Sequence, residues 1–312
     1  MTNFKGVIPI LATPFRDDES LDLDSWDRLI EFMVGLGVDG ITILGVLGES
    51  NRLSDHERAT LIERAVGTVK RRVPIIVGTS HTGTRATEHL SEMAQQLGGD
   101  AVMVTPLKEP VPNDDRIVEA FQRLGSRLSI PIVLQDHPAS SEVHMSADLI
   151  VQLLKSVPQI TCVKEEAVPT APKIRMVRAA VTDRPFTILT GLGALYAPFD
   201  LEAGSDGFNT GFAFPEVLAE MVRAARAADW GRVHGLYAQF AALITYEQQP
   251  GVAIRKELLR RRGLLASARA RHPGTTISPA AARTLENLLS LTLPGVDVTR
   301  PLEINQLAPV GG

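Results

Sequence analysis

The segment Ile160-Thr161-Cys162-Val163-Lys164-Glu165-Glu166 ends a short apolar run in an amine followed by two carboxylates. Strand side chains alternate between faces with a period of two. Cys162, Lys164 and Glu166 then share one face, and Val163 and Glu165 the other. If Val163 packs against outer helices, Lys164 projects inward, where an ammonium is costly unless paired, solvated or neutralised. Partial desolvation lowers an amine's pKa and makes it nucleophilic toward a carbonyl. The chemistry this spacing offers is a Schiff base on Lys164, with Glu166 as acid, base or charge partner. A plain rim ion pair is the alternative that spacing leaves open. Cys162, one pleat deeper, reads as a small core residue.

The elements that must position this lysine follow one grammar. Apolar, β-branched runs occur at Gly6–Thr13, Gly40–Gly45, Pro74–Ser80, Asp100–Pro106, Pro131–Pro138, Ile160–Glu166, Phe186–Gly191 and Asp206–Phe214. Between them lie stretches with helical spacing, among them Leu23–Gly37, Asp55–Lys70, Thr84–Leu97 and Ala147–Val157. Ser54 with Glu57 reads as a capping box, and Ser146 opens a later helix in the same manner. Gly37-Val38-Asp39, Gly98-Gly99-Asp100 and Gly204-Ser205-Asp206 repeat one helix-to-strand turn, with glycine in the left-handed position. Eight strands with intervening helices are the count of a (β/α)8 TIM barrel. A doubly wound open sheet usually carries glycines after its first strand, and Pro14-Phe15-Arg16-Asp17-Asp18 has none. Helical patterns continue from Pro215 to about Arg262 and again over Ser278–Leu289. They predict a barrel over residues 1–225, a C-terminal helical extension over 226–312, and a loose tail from 307 onward.

Composition narrows the function classes. The 312 residues carry a net charge of −4, against the basic surplus of a nucleic-acid binder. The local basic run Arg255, Lys256, Arg260, Arg261 and Arg262 reads as a solvated helix face, not a phosphate patch. One cysteine excludes an internal disulfide, and no Cys/His spacing suggests a metal site. No apolar run is long enough to span a bilayer, and the first residues lack the basic and apolar segments of a signal peptide. A cytoplasmic protein with no membrane or nucleic-acid partner is expected.

Several pieces together resemble the dihydrodipicolinate synthase and N-acetylneuraminate lyase superfamily. They are Gly6-Val7-Ile8-Pro9, Ala12-Thr13-Pro14-Phe15, Gly45 through Glu49-Ser50, Val104-Thr105-Pro106, Pro131-Ile132-Val133-Leu134 and Val163-Lys164-Glu165. The resemblance implies an enzyme whose lysine forms an imine with the ketone of a 2-keto acid, without metal or organic cofactor. It also implies a homo-oligomer, tetramer or dimer. The departures are specific. Where the family has Gly-Thr-Thr-Gly-Glu, this chain has Gly45-Val46-Leu47-Gly48-Glu49; where it has Tyr-Asn-x-Pro, this chain has Gln135-Asp136-His137-Pro138. Ser140 stands in place of the synthase's arginine, and Leu107-Lys108 in place of a tyrosine pair. The tyrosine proton relay is therefore missing. Thr79-Ser80-His81, Gln135-Asp136 with Pro138-Ala139-Ser140, and Glu166 resemble a narrower branch, the 2-keto-3-deoxy-L-arabonate dehydratases.

On this resemblance Lys164, Glu166 and Gln135 are the catalytic candidates, with Glu166 as the base that takes the C3 proton. Backbone N–H groups of Val46, Leu47 and Gly48 are candidates for the substrate carboxylate, since a glycine-bounded turn favours anions; a simple tight turn is the alternative. Ser80, His81, His137, Gly191 and Asn209 complete the expected mouth. The histidines would bind hydroxyls or protonate the leaving water, or else are structural; Asp136, of opposite parity to Gln135, is expected to brace a loop. Dehydration of a 2-keto-3-deoxy sugar acid leads. An aldolase or pyruvate-condensing synthase, and a non-catalytic ligand-binding barrel, are the alternatives.

Overall fold

A computed structural model describes residues 4–108, 113–249 and 251–306; the expected loose tail lies outside the described residues. The strands are β1 (Gly6–Val7), β2 (Ile41–Ile43), β3 (Ile75–Gly78), β4 (Ala101–Val104), β5 (Ile132–Asp136), β6 (Ile160–Glu165), β7 (Thr187–Thr190) and β8 (Gly207–Phe208). Each falls inside one of the eight apolar runs. Helices α1 (Leu23–Gly35), α2 (Asp55–Val69), α3 (Thr84–Gln96), α4 (Asp114–Arg127), the short α5 (Pro138–Ser141), α6 (Ala147–Ser156), α7 (Thr170–Ala180), α8 (Ala197–Glu202) and α9 (Pro215–Arg226) connect or follow them.

All strand pairs are parallel, in the order β1-β8-β7-β6-β5-β4-β3-β2. A parallel bridge between Ile10 and Thr42 joins the two ends of that order. There Thr42 N–H donates to Pro9 O and Leu11 N–H to Thr42 O, both at 2.8 Å, so the sheet closes into a (β/α)8 barrel. Asn209 fastens the same seam from inside, donating to Ile8 O at 2.9 Å and to Thr42 Oγ1 at 2.7 Å. Phe4, Ile8, Ile76, Ala101, Met103, Val133, Cys162 and Leu189 fill the bore below the site. The alternate residues Val77, Val102, Leu134, Val163 and Ile188 face the helical ring.

The punctuation is local chemistry. Ser54 Oγ accepts from Glu57 N–H, while Glu57 accepts from Ser54 N–H, and Ser146 caps α6 through Leu149 N–H. Such caps contribute about 1 kcal/mol each. Gly37, Gly98 and Gly204 hold positive φ. The aspartate two residues after each glycine then accepts a backbone N–H of a neighbouring strand. Asp39 takes Val7, Asp100 takes Ile75 and Asp206 takes Ile188, each at 2.8 Å. One turn thereby ends a helix and registers two strands.

After the barrel come α10 (Trp230–Glu247), α11 (Ala253–Arg261) and α12 (Pro279–Thr292). Phe240 of α10 packs edge-on against Phe212, just past β8, with ring centroids 6.3 Å apart. The basic run corrects the sequence reading. Arg255, Lys256 and Arg262 are buried, not solvated. Each meets a carboxylate from elsewhere in the chain: Glu247 at 2.9 Å, Glu49 at 2.5 Å and Glu216 at 2.6 Å. A charge run reads as a wet face only when its partners are invisible; here they lie up to about 200 residues away in sequence. No helix among the described residues is long and apolar enough to cross a membrane.

Candidate active site

Lys164 lies near the C-terminal end of β6, where barrel enzymes place their chemistry. The β5/β6 register pairs Gln135 with Lys164, so both side chains point into the mouth on adjacent strands. Lys164 is buried, and its Nζ is 3.0 Å from Glu166 Oε2. Gln135 Nε2 donates to that same oxygen at 2.7 Å, and Leu192 N–H donates to Oε1 at 3.1 Å. A carboxylate offers about four acceptor sites, so these three donors leave one lone pair, on Oε1. Gly191 makes this pose possible, because a Cβ there would lie 1.9 Å from Glu166 Oε1. β5, β6 and the loop after β7 therefore build one unit from Lys164, Glu166, Gln135 and Gly191.

Burial pushes the Lys164 amine below the ordinary lysine value, against the pull of Glu166; the Arg255 charge pushes it further down. Burial works the other way on Glu166, but Lys164, His137 and Gln135 hold its carboxyl below the usual range. The pair can pass one proton between Nζ and Oε2 without crossing solvent. His137 is half-buried, and burial lowers its imidazole pKa against the pull of Glu166. Its Nδ1 is 2.5 Å from Ser140 Oγ, and it lies within the field of Glu166 and Lys164.

The remaining candidates are placed as follows. Val46 is exposed and Leu47 half-buried, in a single 3-10 turn. Gly48 N–H closes that turn on Gly45 O at 2.9 Å, which leaves the N–H groups of Val46 and Leu47 as its leading donors. Ser80 Oγ accepts Thr105 N–H at 3.0 Å and so braces β3 against β4. His81 is exposed, accepts Gly83 N–H at Nδ1, and borders a cavity of about 590 Å³ beside α3 and α4, apart from Lys164. Asn209 is fully buried, with its amide N–H groups committed to the seam. The structure thus gathers Lys164, Glu166, Gln135, Gly191 and His137, and sets Ser80, His81 and Asn209 in other surroundings.

On the opposite face of the same strands, Asp136 turns outward and pairs with Lys173 of α7, which also donates to Met145 O. Glu165 is the register partner of Asp136. Burial, with the adjacent Asp136 charge, pushes the Glu165 carboxyl up to about 8. Burial also pushes the Cys162 thiol up to about 12, which makes it inert packing at neutral pH. Tyr237 and Tyr246 donate their hydroxyls to Leu195 O and Ala281 O. No group of three or more His, Cys, Asp or Glu residues that could hold a metal occurs among the described residues.

Sequence reasoning missed the buried cations of α11. Arg255 reaches the mouth beside Leu47: a Cβ on Gly211 would lie 2.2 Å from Leu47 Cδ1 and 3.1 Å from Arg255 Nη1. The available signal was Glu247, eight residues before Arg255 and without an evident helical partner.

Comparison with known proteins agrees with this geometry. The chain is 33% identical over 297 residues to the L-2-keto-3-deoxyarabonate dehydratase of Azospirillum brasilense, covering 91% of this chain and 96% of that one. It is 30% identical over 237 residues to a 4-hydroxy-tetrahydrodipicolinate synthase of Methanocaldococcus jannaschii, covering 75% and 80%. The crystal structure of dihydrodipicolinate synthase from Rhodopseudomonas palustris superposes with a TM-score of 0.88 at 34% identity, over 92% of this chain and 97% of that one. The dihydrodipicolinate synthetase family model matches residues 3–292, and the chain belongs to that family.

Proposed function

We propose that the protein is a Schiff-base-forming lyase that removes water from a 2-keto-3-deoxy sugar acid. The observation that carries the reading is the Lys164–Glu166 pair, 3.0 Å apart in the barrel mouth, with Glu166 oriented by Gln135 and Leu192 N–H. Its likeness to the Azospirillum dehydratase over nearly the whole chain supports the same class.

Glu166 takes the ammonium proton, and the neutral Lys164 amine attacks the C2 ketone. Glu166 returns that proton to the carbonyl oxygen, which leaves as water, so a protonated imine forms and Glu166 is again a carboxylate. That cation withdraws electrons, so a C3 proton becomes acidic and passes to Glu166 through its one open lone pair on Oε1. The enamine then expels the C4 hydroxyl, which leaves as water with a proton. Hydrolysis of the imine returns Lys164, and the net change is loss of one water. Glu166, now carrying the C3 proton, can return it to the departing C4 hydroxyl, and His137, in the field of Glu166 and Lys164, is the candidate to bind that hydroxyl. Gln135 donates hydrogen bonds and does not shuttle protons. The N–H groups of Val46 and Leu47 receive the substrate carboxylate. General acid–base help of this kind contributes roughly 10²- to 10⁴-fold in rate. The same reading carries a cytoplasmic homo-oligomer.

Aldol cleavage shares every step through the imine. It differs in removing the C4 hydroxyl proton and breaking C3–C4. Incubation with 2-keto-3-deoxy pentonates and hexonates, followed by product analysis, separates the two. Loss of 18 mass units from the sugar acid without pyruvate supports dehydration, roughly one water per turnover. Release of pyruvate with an aldehyde replaces it with cleavage.

A further inference from the structure

A 2-keto acid brings a carboxylate into a mouth whose own cations are mostly matched. Lys164 has Glu166, and Lys256 of α11 has Glu49 in the turn after β2. Arg255 differs. Its Nε donates to Glu247 Oε2 at 2.9 Å, and Nη2 makes only a long contact of 3.5 Å with Glu247 O. Nη1 has no hydrogen-bond acceptor among the described residues, on a side chain only 4% exposed. With Nε held by Glu247 and no protein acceptor on Nη1, that arm is free to take an anion.

The direction of that arm is fixed by what it approaches. Nη1 lies 3.1 Å from the point a Cβ on Gly211 would occupy, and Leu47 Cδ1 lies 2.2 Å from the same point. Gly211 follows β8, and Leu47 belongs to the turn after β2, so Arg255 enters the mouth through the gap a missing side chain leaves. One strand over, Gln248 leans in similarly. Its Nε2 is buried without an acceptor and lies 1.6 Å from where a Cβ on Gly193 would sit. Glycines at the ends of two adjacent strands thus admit two donors from beyond α9.

We infer that Arg255 is the substrate-anion residue of this site: its Nη1 binds the carboxylate of the 2-keto acid beside the Val46–Leu47 turn. This rests on the proposed keto-acid chemistry at Lys164. Glu247 orients the fork through Nε and leaves the outer arm for the ligand, in the charge-assisted geometry that suits carboxylates. The C-terminal helices then contribute to binding directly and do not merely cover the barrel.

The test compares pyruvate with its uncharged methyl ester in wild type and in Arg255→Met, each trapped on the protein by borohydride. The Arg255→Met, Glu247→Gln double variant guards against misfolding from an unpaired Glu247, and thermal melts report folding of each. The expected result is a loss of about 10- to 150-fold in apparent affinity for pyruvate, the range of one charge-assisted hydrogen bond, with ester trapping changed less than about threefold. Equal losses for acid and ester, or no loss for either in a folded variant, would overturn the assignment while leaving the Lys164 chemistry in place. Failure of wild type to trap either compound would remove the proposed function and this assignment with it.

Discussion

Replacing Gly191 with alanine probes Glu166 without touching its chemistry. The new Cβ would stand 1.9 Å from Oε1, 2.3 Å from Cδ and 2.6 Å from Cγ. Ordinary carbon–oxygen contact needs about 3.4 Å, so the carboxylate must retreat by about 1.5 Å. Its bond to Leu192 N–H starts at 3.1 Å, and its bond to Gln135 at 2.7 Å. A retreat of that size carries both beyond hydrogen-bonding distance. A misplacement of about 1 Å in a reacting group costs about 10²-fold, so kcat should fall by at least that factor. Lys164 also loses its counter-charge, which lowers its pKa further and favours the neutral amine. Borohydride trapping of a 2-keto acid should therefore persist in Gly191→Ala while turnover collapses. Steady-state kinetics, trapping and a thermal melt on the same preparation check this. A folded variant with kcat within threefold of wild type would refute Glu166 as the base.

Two further outcomes follow from the buried charges. Lys256→Met removes the 2.5 Å partner of Glu49 Oε1 while Arg52 stays 2.6 Å from Oε2, so the variant should lose about 1–3 kcal/mol of stability in denaturant melts. A loss below about 1 kcal/mol would contradict the reading of α11 as anchored to the β2 turn. The Glu165 carboxyl is raised from 4.5 to about 8, so between those values the folded chain holds a proton that the unfolded chain has released. Stability should therefore fall as pH rises through this window, with a limiting slope near 1.4 kcal/mol per pH unit. Glu165→Gln should flatten that slope, and an unchanged pH profile by thermal melt would exclude the assignment.

Local signals carried most of the fold. Period-two and helical patterns depend on neighbours within a few residues, which is why the strand runs, the Ser54–Glu57 box and the glycine–aspartate turns were readable. Parity put Lys164 and Glu166 on one face; the hydrogen bond from Gln135 to Glu166 across β5 and β6 came only with the structure. Long-range pairing was not legible. The resemblance put Asn209 at the mouth, and nothing nearby in sequence signalled the seam that its amide N–H groups close with residues 201 and 167 positions away. Arg255, Lys256 and Arg262 looked like a wet helix face because their carboxylate partners lie in other elements. Arg255 is the costlier omission, since it brings charge to the mouth from outside the eight strands.

The central claim is covalent capture of a ketone by one buried amine. Borohydride reduction with a 2-keto acid, followed by peptide mass mapping of wild type and Lys164→Ala, tests it most directly. The account predicts a single reduced adduct on the peptide holding Lys164 and none in the variant. An adduct on another lysine, or an unmodified Lys164 after turnover with substrate present, would contradict it.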